Sequence, residues 1–291
     1  MAIDRLQEKI RKFKNPTVVT FSMLPEQLPP FIMETAGDLS AAFKQFAKEL
    51  LAGLKDIVPA VRFNFNSFAL YAGTGLDLLE ELLDFAKSQN YYVILDAPEA
   101  LSYQDATRSA KILLEANEKW YFDGLVVSSY IGSDGLKPYV SLLKETKKDI
   151  FAVVRTSNKT APELQDLLTG SRLMHMANAD IVNRFSEQLV GRSGYSQVAM
   201  LAAASSADSL RTLREKYKNT FLLLDGSDYS NANAKNCSFA FDSLGHGAAA
   251  CAGLSVTAAW KEDDCQSAYV EKAVEAAQRL KKNLLRYITI F

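Results

Sequence analysis

Cysteine, histidine, proline and glycine are all scarce in this sequence, and each scarcity removes a class of protein. Three cysteines (Cys237, Cys251 and Cys265), evenly spaced, form no metal-ligand pattern. Their odd number, after a start with no secretory signal, leads us to expect reduced thiols and a cytoplasmic location. With 14 glycines and 8 prolines in 291 residues, there is no linker and no low-complexity tract. A net charge of -1 provides no basic face for nucleic acid. No apolar run reaches the ~20 residues of a membrane-spanning helix, so no membrane is expected as a partner. The only histidines, His175 and His246, are read as structural. Asn158-Lys159-Thr160 and Asn236-Cys237-Ser238 match the glycosylation sequon, and without secretion they are chance matches.

What is present is a rhythm. Short apolar runs alternate with longer amphipathic ones. Candidate strands are Thr17–Met23, Ala60–Phe68, Tyr91–Ala97, Gly124–Tyr130, Ile150–Ser157, Gln197–Ala204, Thr220–Gly226 and Ala248–Val256. Most are nearly continuous apolar stretches, as in a parallel sheet covered by helices on both faces. Between them lie helical patterns at Gly75–Asn90, Asp105–Asn117, Gly135–Thr146, Asp180–Val190, Ala207–Lys218 and Ala268–Tyr287. Ser206 and Asp208 are plausible caps. An opening helix, Asp4–Lys14, is expected to close a barrel floor. Eight such units in a chain 48% hydrophobic point to an α/β (β/α)8 TIM barrel forming a single domain over residues 1–291. A doubly wound open sheet is the competing architecture.

Several segments, in order along nearly the whole chain, carry a resemblance. They include Asp4-Arg5-Leu6, Asn15-Pro16-Thr17-Val18-Val19 and Leu28-Pro29-Pro30-Phe31. Ser129 to Pro138, Val154-Arg155-Thr156-Ser157-Asn158, Glu163 to Leu167 and Gly191-Arg192-Ser193-Gly194-Tyr195-Ser196 continue the series. Together they resemble the long-chain bacterial group of the orotidine 5'-phosphate decarboxylase family. The resemblance implies a barrel, a homodimer, and removal of CO₂ from orotidine monophosphate without metal or cofactor.

The chemistry carries over poorly. The family has an Asp-x-Lys-x-x-Asp run leaving the third strand and a Lys on the second. The central Lys stabilises the carbanion left by CO₂ and then protonates it. Here the run reads Asp96-Ala97-Pro98-Glu99-Ala100-Leu101, so Asp96 is kept, Pro98 replaces the Lys and Leu101 the second Asp. Arg62 stands at the second-strand Lys position. Its planar head and very high pKa suit it to orienting charge, not to donating a proton. Ser22 replaces an Asp of the first strand. The family's phosphate loop and Arg are replaced by Asp225-Gly226-Ser227-Asp228-Tyr229-Ser230 and Cys251-Ala252-Gly253-Leu254. Gly226 alone matches that loop, Ser230 sits at its Gln position and Leu254 at the Arg position. Asp225 and Asp228 place negative charge where a phosphate should rest.

The residues left to bind a ligand are Ser22, Thr156, Ser157, Asn158, Asp225, Gly226, Asp228, Ser230 and Gly253, with Asp96 and Arg62 at the catalytic positions. Thr156, Ser157 and Asn158 either hydrogen-bond a pyrimidine ring or merely satisfy backbone groups at a strand end. Asp96 is expected to pair with Arg62 across neighbouring strands, and a divalent cation among Asp96, Asp225 and Asp228 is the less favoured arrangement. Three functions stay open: an inactive or strongly impaired homologue that binds a ligand or partner, a decarboxylase with compensating residues, and a barrel with new chemistry using Asp96, Glu99, Arg62, Asp225 and Asp228.

Overall fold

Runs rich in Val, Leu, Ile and Ala form eight parallel strands because such side chains fill both faces of a buried sheet. In chain order they are β1 (Thr17–Phe21), β2 (Ala60–Phe63), β3 (Tyr92–Asp96), β4 (Gly124–Ser128), β5 (Asp149–Val153), β6 (Val198–Ala203), β7 (Leu222–Asp225) and β8 (Ala248–Ala252). The structure is a computed structural model and describes residues 1–97, 100–116, 119–226 and 231–291. The strands close in the order β1-β8-β7-β6-β5-β4-β3-β2, which is a (β/α)8 TIM barrel and excludes the open sheet. The register sets Thr20 beside Arg62, Asp96 beside Val126 and Ala203 beside Asp225.

Period-two alternation then sorts the side chains. Val18, Tyr92, Ile94, Val126, Phe151, Leu201, Leu223 and Ala249 pack in the barrel interior. Below them the helix Ala2–Phe13 presents Ile3, Leu6 and Ile10, so the opening helix does plug the floor. Residues of the other parity, such as Val19, Phe63, Leu95 and Leu224, pack outward against the helices. Each large apolar side chain so buried contributes roughly 1.5–3 kcal/mol.

Several boundaries differ from the sequence expectation. The run Ala60–Phe68 stops as a strand at Phe63, because Asn64 accepts from the backbone N–H of Ser67 and caps a short helix at Phe65–Ala69. Likewise Ala248–Val256 ends at Ala252, and Leu254–Thr257 is helical. The pattern assigned to Asp180–Val190 begins earlier, at Met174, and ends at Ser186. Ser206 stands at the N-cap of Ala207–Lys216, yet its side chain makes no capping hydrogen bond. The helix Leu39–Leu54 was not anticipated. It is capped by Asp38, which accepts from Ala41, and it buries Phe43, Phe46, Leu50 and Leu54. No helix among the described residues is long and apolar enough to cross a membrane.

Shared motifs on the floor serve structure. Asp4 accepts from the backbone N–H of Ser193 at 2.8 Å, and Arg5 reaches Asp123 at 2.7 Å. His246 is also on this face, with Nε2 3.0 Å from the carbonyl oxygen of Phe291. Arg214, almost wholly buried, donates to the carbonyls of Ala240 (2.7 Å), Thr220 (3.0 Å) and Gly247 (2.6 Å). It thereby ties together the chain segments that lead into β7 and β8.

Candidate active site at the barrel mouth

Three strand ends meet at the C-terminal mouth. Arg62 is an inward residue of β2, Asp96 ends β3 and Asp225 ends β7. The Arg62 guanidinium donates through Nε to Asp96 Oδ1 at 2.7 Å and through Nη2 to Asp96 Oδ2 at 3.1 Å. Its remaining arm, Nη1, donates to Asp225 Oδ1 at 2.8 Å. The pair expected from sequence is therefore formed, with Asp225 as an unforeseen third member. The planar fork of Arg suits this geometry, since it grips one carboxylate with two parallel bonds and still has a donor for the other.

Electrostatics follow from burial. Arg62 is only 9% exposed. Desolvation opposes its charge, but Asp96, Cys251 and Asp225 more than offset this and hold its pKa well above the ordinary value. Burial pushes the Asp96 carboxyl up, against the pull of Arg62. Cys251, beneath the guanidinium on β8, has its thiol pushed up to about 12 by the same loss of solvent. One cation facing two carboxylates is a cluster with no positive charge to spare. The gap between Asp96 and Asp225 that a divalent cation needs is filled by Arg62 itself.

Above this cluster is a cavity of about 270 Å³, lined by Thr20, Ser157, Asp225, Gly226, Cys251, Gly253 and Leu254. Four of the residues chosen from sequence thus line one space: Ser157, Asp225, Gly226 and Gly253. Ser157 donates to Asp225 Oδ2 at 3.2 Å. Gly226 has φ +70°, and a Cβ placed there would sit 2.4 Å from Ser157 Cβ, so the loops after β5 and β7 meet at a position open only to glycine.

Other chosen residues are engaged elsewhere. Thr156 donates its N–H to Gln165 Oε1 at 2.9 Å and its hydroxyl to Asn158 Oδ1 at 2.6 Å, while Asn158 donates to Thr160 Oγ1 at 2.9 Å. These two side chains hold their own loop. Ser22 lies just past the end of β1, where its carbonyl accepts from the N–H of Leu24 and from the Gln27 side chain. Leu101 is exposed and does not fill the mouth. Pro98, Glu99, Asp228, Tyr229 and Ser230 lie outside the described residues.

Sequence reasoning missed Thr20 and Cys251. The usable signal was parity: both keep step with the inward residue Val18, Thr20 two places along β1 and Cys251 beside it on β8.

Comparison with known proteins agrees with this architecture. No family model matches the chain. An orotidine 5'-phosphate decarboxylase of Rhodopirellula baltica is 27% identical over 261 residues, covering 88% of this chain and 86% of its own. The enzyme of that name from Caldicellulosiruptor saccharolyticus is 24% identical over 255 residues, covering 82% and 84%. The crystal structure of Plasmodium berghei orotidine 5'-monophosphate decarboxylase superposes with a TM-score of 0.77 at 13% identity, over 97% of this chain and 99% of that one. In sequence along most of both chains, and in a barrel that matches nearly from end to end, this chain is similar to orotidine 5'-phosphate decarboxylases.

Proposed function

We propose that this chain is an orotidine 5'-phosphate decarboxylase-like barrel that does not turn over orotidine monophosphate at a significant rate and that binds a different, small ligand at its mouth. The observation that carries the reading is the engagement of Arg62. At the position of a family lysine stands a guanidinium whose three forward donors are held by Asp96 and Asp225. It has no mobile proton to give, and loss of a positioned acid lowers a rate by roughly 10²–10⁴-fold.

Asp225 also bears on ligand choice. It stands in the cavity wall where the family grips phosphate, so a phosphorylated ligand meets a carboxylate there. A neutral or cationic ligand small enough for about 270 Å³ suits that wall better. The homodimer implied by the family is part of the same proposal. Large exposed apolar side chains on the segments after β2 and β3 (Leu70, Leu101, Tyr103 and Ile112) support it.

The test is loss of orotidine monophosphate absorbance at high protein concentration, alongside thermal shifts with uridine monophosphate and light scattering for mass. Absent turnover, an unmoved melting curve and a dimeric mass are expected. Turnover that disappears in Asp96→Asn would overturn the reading and mean that another group supplies the proton.

A further inference from the structure

Outside the Arg62 cluster, three side chains that the family chemistry does not use are linked in a row. His175, on the helix Met174–Ser186, has Nδ1 3.1 Å from Asp166 Oδ1 and 3.0 Å from the carbonyl oxygen of Gln165. Both neighbours only accept, so Nδ1 carries the ring proton and Nε2 presents its lone pair. Nε2 is 3.2 Å from Ser209 Oγ, on the helix Ala207–Lys216. An unprotonated ring nitrogen can only accept there, so the Ser209 hydroxyl donates to it. Ser206 Oγ in turn donates to Ser209 Oγ at 2.8 Å, which leaves the Ser209 proton committed to the imidazole.

The surroundings fix the charge states that this row requires. Arg155 clamps Asp166 through Nε at 3.1 Å and Nη2 at 2.8 Å and holds its carboxyl below the usual range. Burial keeps the His175 pKa below its ordinary value, so the ring is a neutral base at pH 7. His175 is 1% exposed, whereas Ser209 is half-buried and reachable from solvent. Ser209 lies in the first turn of its helix. There the Ser206 side chain makes no cap bond, and the first-turn amides are left as donors for a developing oxyanion.

We propose that Ser209 is a nucleophile activated by His175 and oriented by Asp166, and that it accepts acyl groups from small esters. Nucleophile, base and orienting acid stand in the relation that makes a serine hydroxyl reactive on unrelated folds. Ser209 Oγ adds to the ester carbonyl carbon while its proton passes to His175 Nε2. The carbonyl–alkoxy bond then breaks, and the departing alcohol oxygen takes that proton. Water attacks the acyl-serine in the same manner, gives its proton to Nε2, and releases a carboxylic acid as the proton returns to Ser209. Asp166 and Ser206 are positioning residues, since neither meets the acyl group.

The experiment exposes the full-length protein to a fluorophosphonate probe, maps the labelled peptide, and follows p-nitrophenyl acetate hydrolysis in parallel. Label on Ser209 is expected, with loss of label and hydrolysis in Ser209→Ala, whose folding is checked by circular dichroism. The labelling rate rises with pH as His175 loses its proton and then levels. In Asp166→Asn that inflection moves to lower pH, because the carboxylate that favours the imidazolium is gone. Ser206→Ala slows labelling but keeps it on Ser209. Label on another residue, unchanged labelling in Ser209→Ala, or no label at all would overturn the proposal.

Discussion

Arg62 holds Asp96 by two hydrogen bonds of 2.7 and 3.1 Å, and so joins the ends of β2 and β3 by a charged fork as well as by their backbone ladder. The third bond, to Asp225, makes the fork a crossbar to β7, past the intervening β1 and β8. Removing Arg62 therefore leaves two carboxylates facing each other in a poorly solvated mouth. Arg62→Met should destabilise the protein by about 3–5 kcal/mol, read as a lowered urea midpoint. Joint replacement of Arg62 and Asp96 by apolar residues should recover part of that loss.

Asp225 governs what the mouth accepts. Asp225→Asn removes one negative charge, which takes the cluster from a net negative charge to neutral and frees the Nη1 donor of Arg62 for an anion. We expect inorganic phosphate binding, measured by calorimetry at low salt, to appear in the variant and be absent in the parent protein. Raising the salt to physiological strength should weaken it, because the site is partly open to water.

Thiol chemistry should distinguish the three cysteines. Burial pushes Cys237 and Cys251 each up to about 12, while Cys265 is partly exposed. Only the thiolate reacts. Titration with a disulfide reagent at pH 8 should therefore count one thiol in the folded protein and three in denaturant. Fast reaction of Cys251 in the folded state would contradict the packing described for the mouth.

A buried acid sets one pH dependence. Asp149 accepts from the Tyr92 hydroxyl at 2.6 Å, and burial raises its pKa well above the ordinary carboxylate value. The folded state thus binds its proton more tightly than the unfolded chain does. This contribution to stability is complete below the unfolded pKa and is lost as pH rises through the folded one. Asp149→Asn, which carries no charge, should flatten the decline in melting temperature from mildly acidic pH upward. An unchanged slope would show that other groups set it.

Arg214 offers a test of the floor. Its guanidinium donates to carbonyls that precede β7 and β8, and Lys cannot reproduce that spread of donors. Arg214→Lys should cost about 1–3 kcal/mol in a denaturant titration, the typical consequence of leaving buried acceptors unpaired.

How far the sequence could be read follows from where its signals are local. All eight strands were legible because two-sided burial writes itself as an apolar run. Their C-terminal ends were not, since the residues after β2 and β8 stay apolar while the backbone turns helical at Phe65 and Leu254. The helix Leu39–Leu54 was passed over although Phe43, Phe46, Leu50 and Leu54 recur at helical spacing. At the mouth, the Arg62–Asp96 pair was legible because β2 and β3 are neighbours. The reach to Asp225 was not, for it depends on barrel closure through β1 and β8 bringing β7 within reach of β2. His175 looked merely structural because Ser209, its partner at Nε2, comes from a separate helix beyond β6.

The near-contact between Gly226 and Ser157 gives the mouth a direction. Because the loops after β5 and β7 meet there, they flank the end of β6, whose last residue, Ala203, and its successor Ala204 are buried. Among the described residues, the rest of the cavity is lined by Thr20, Cys251, Gly253 and Leu254. A molecule seated there would meet the carboxylate of Asp225 as well as the apolar side chain of Leu254.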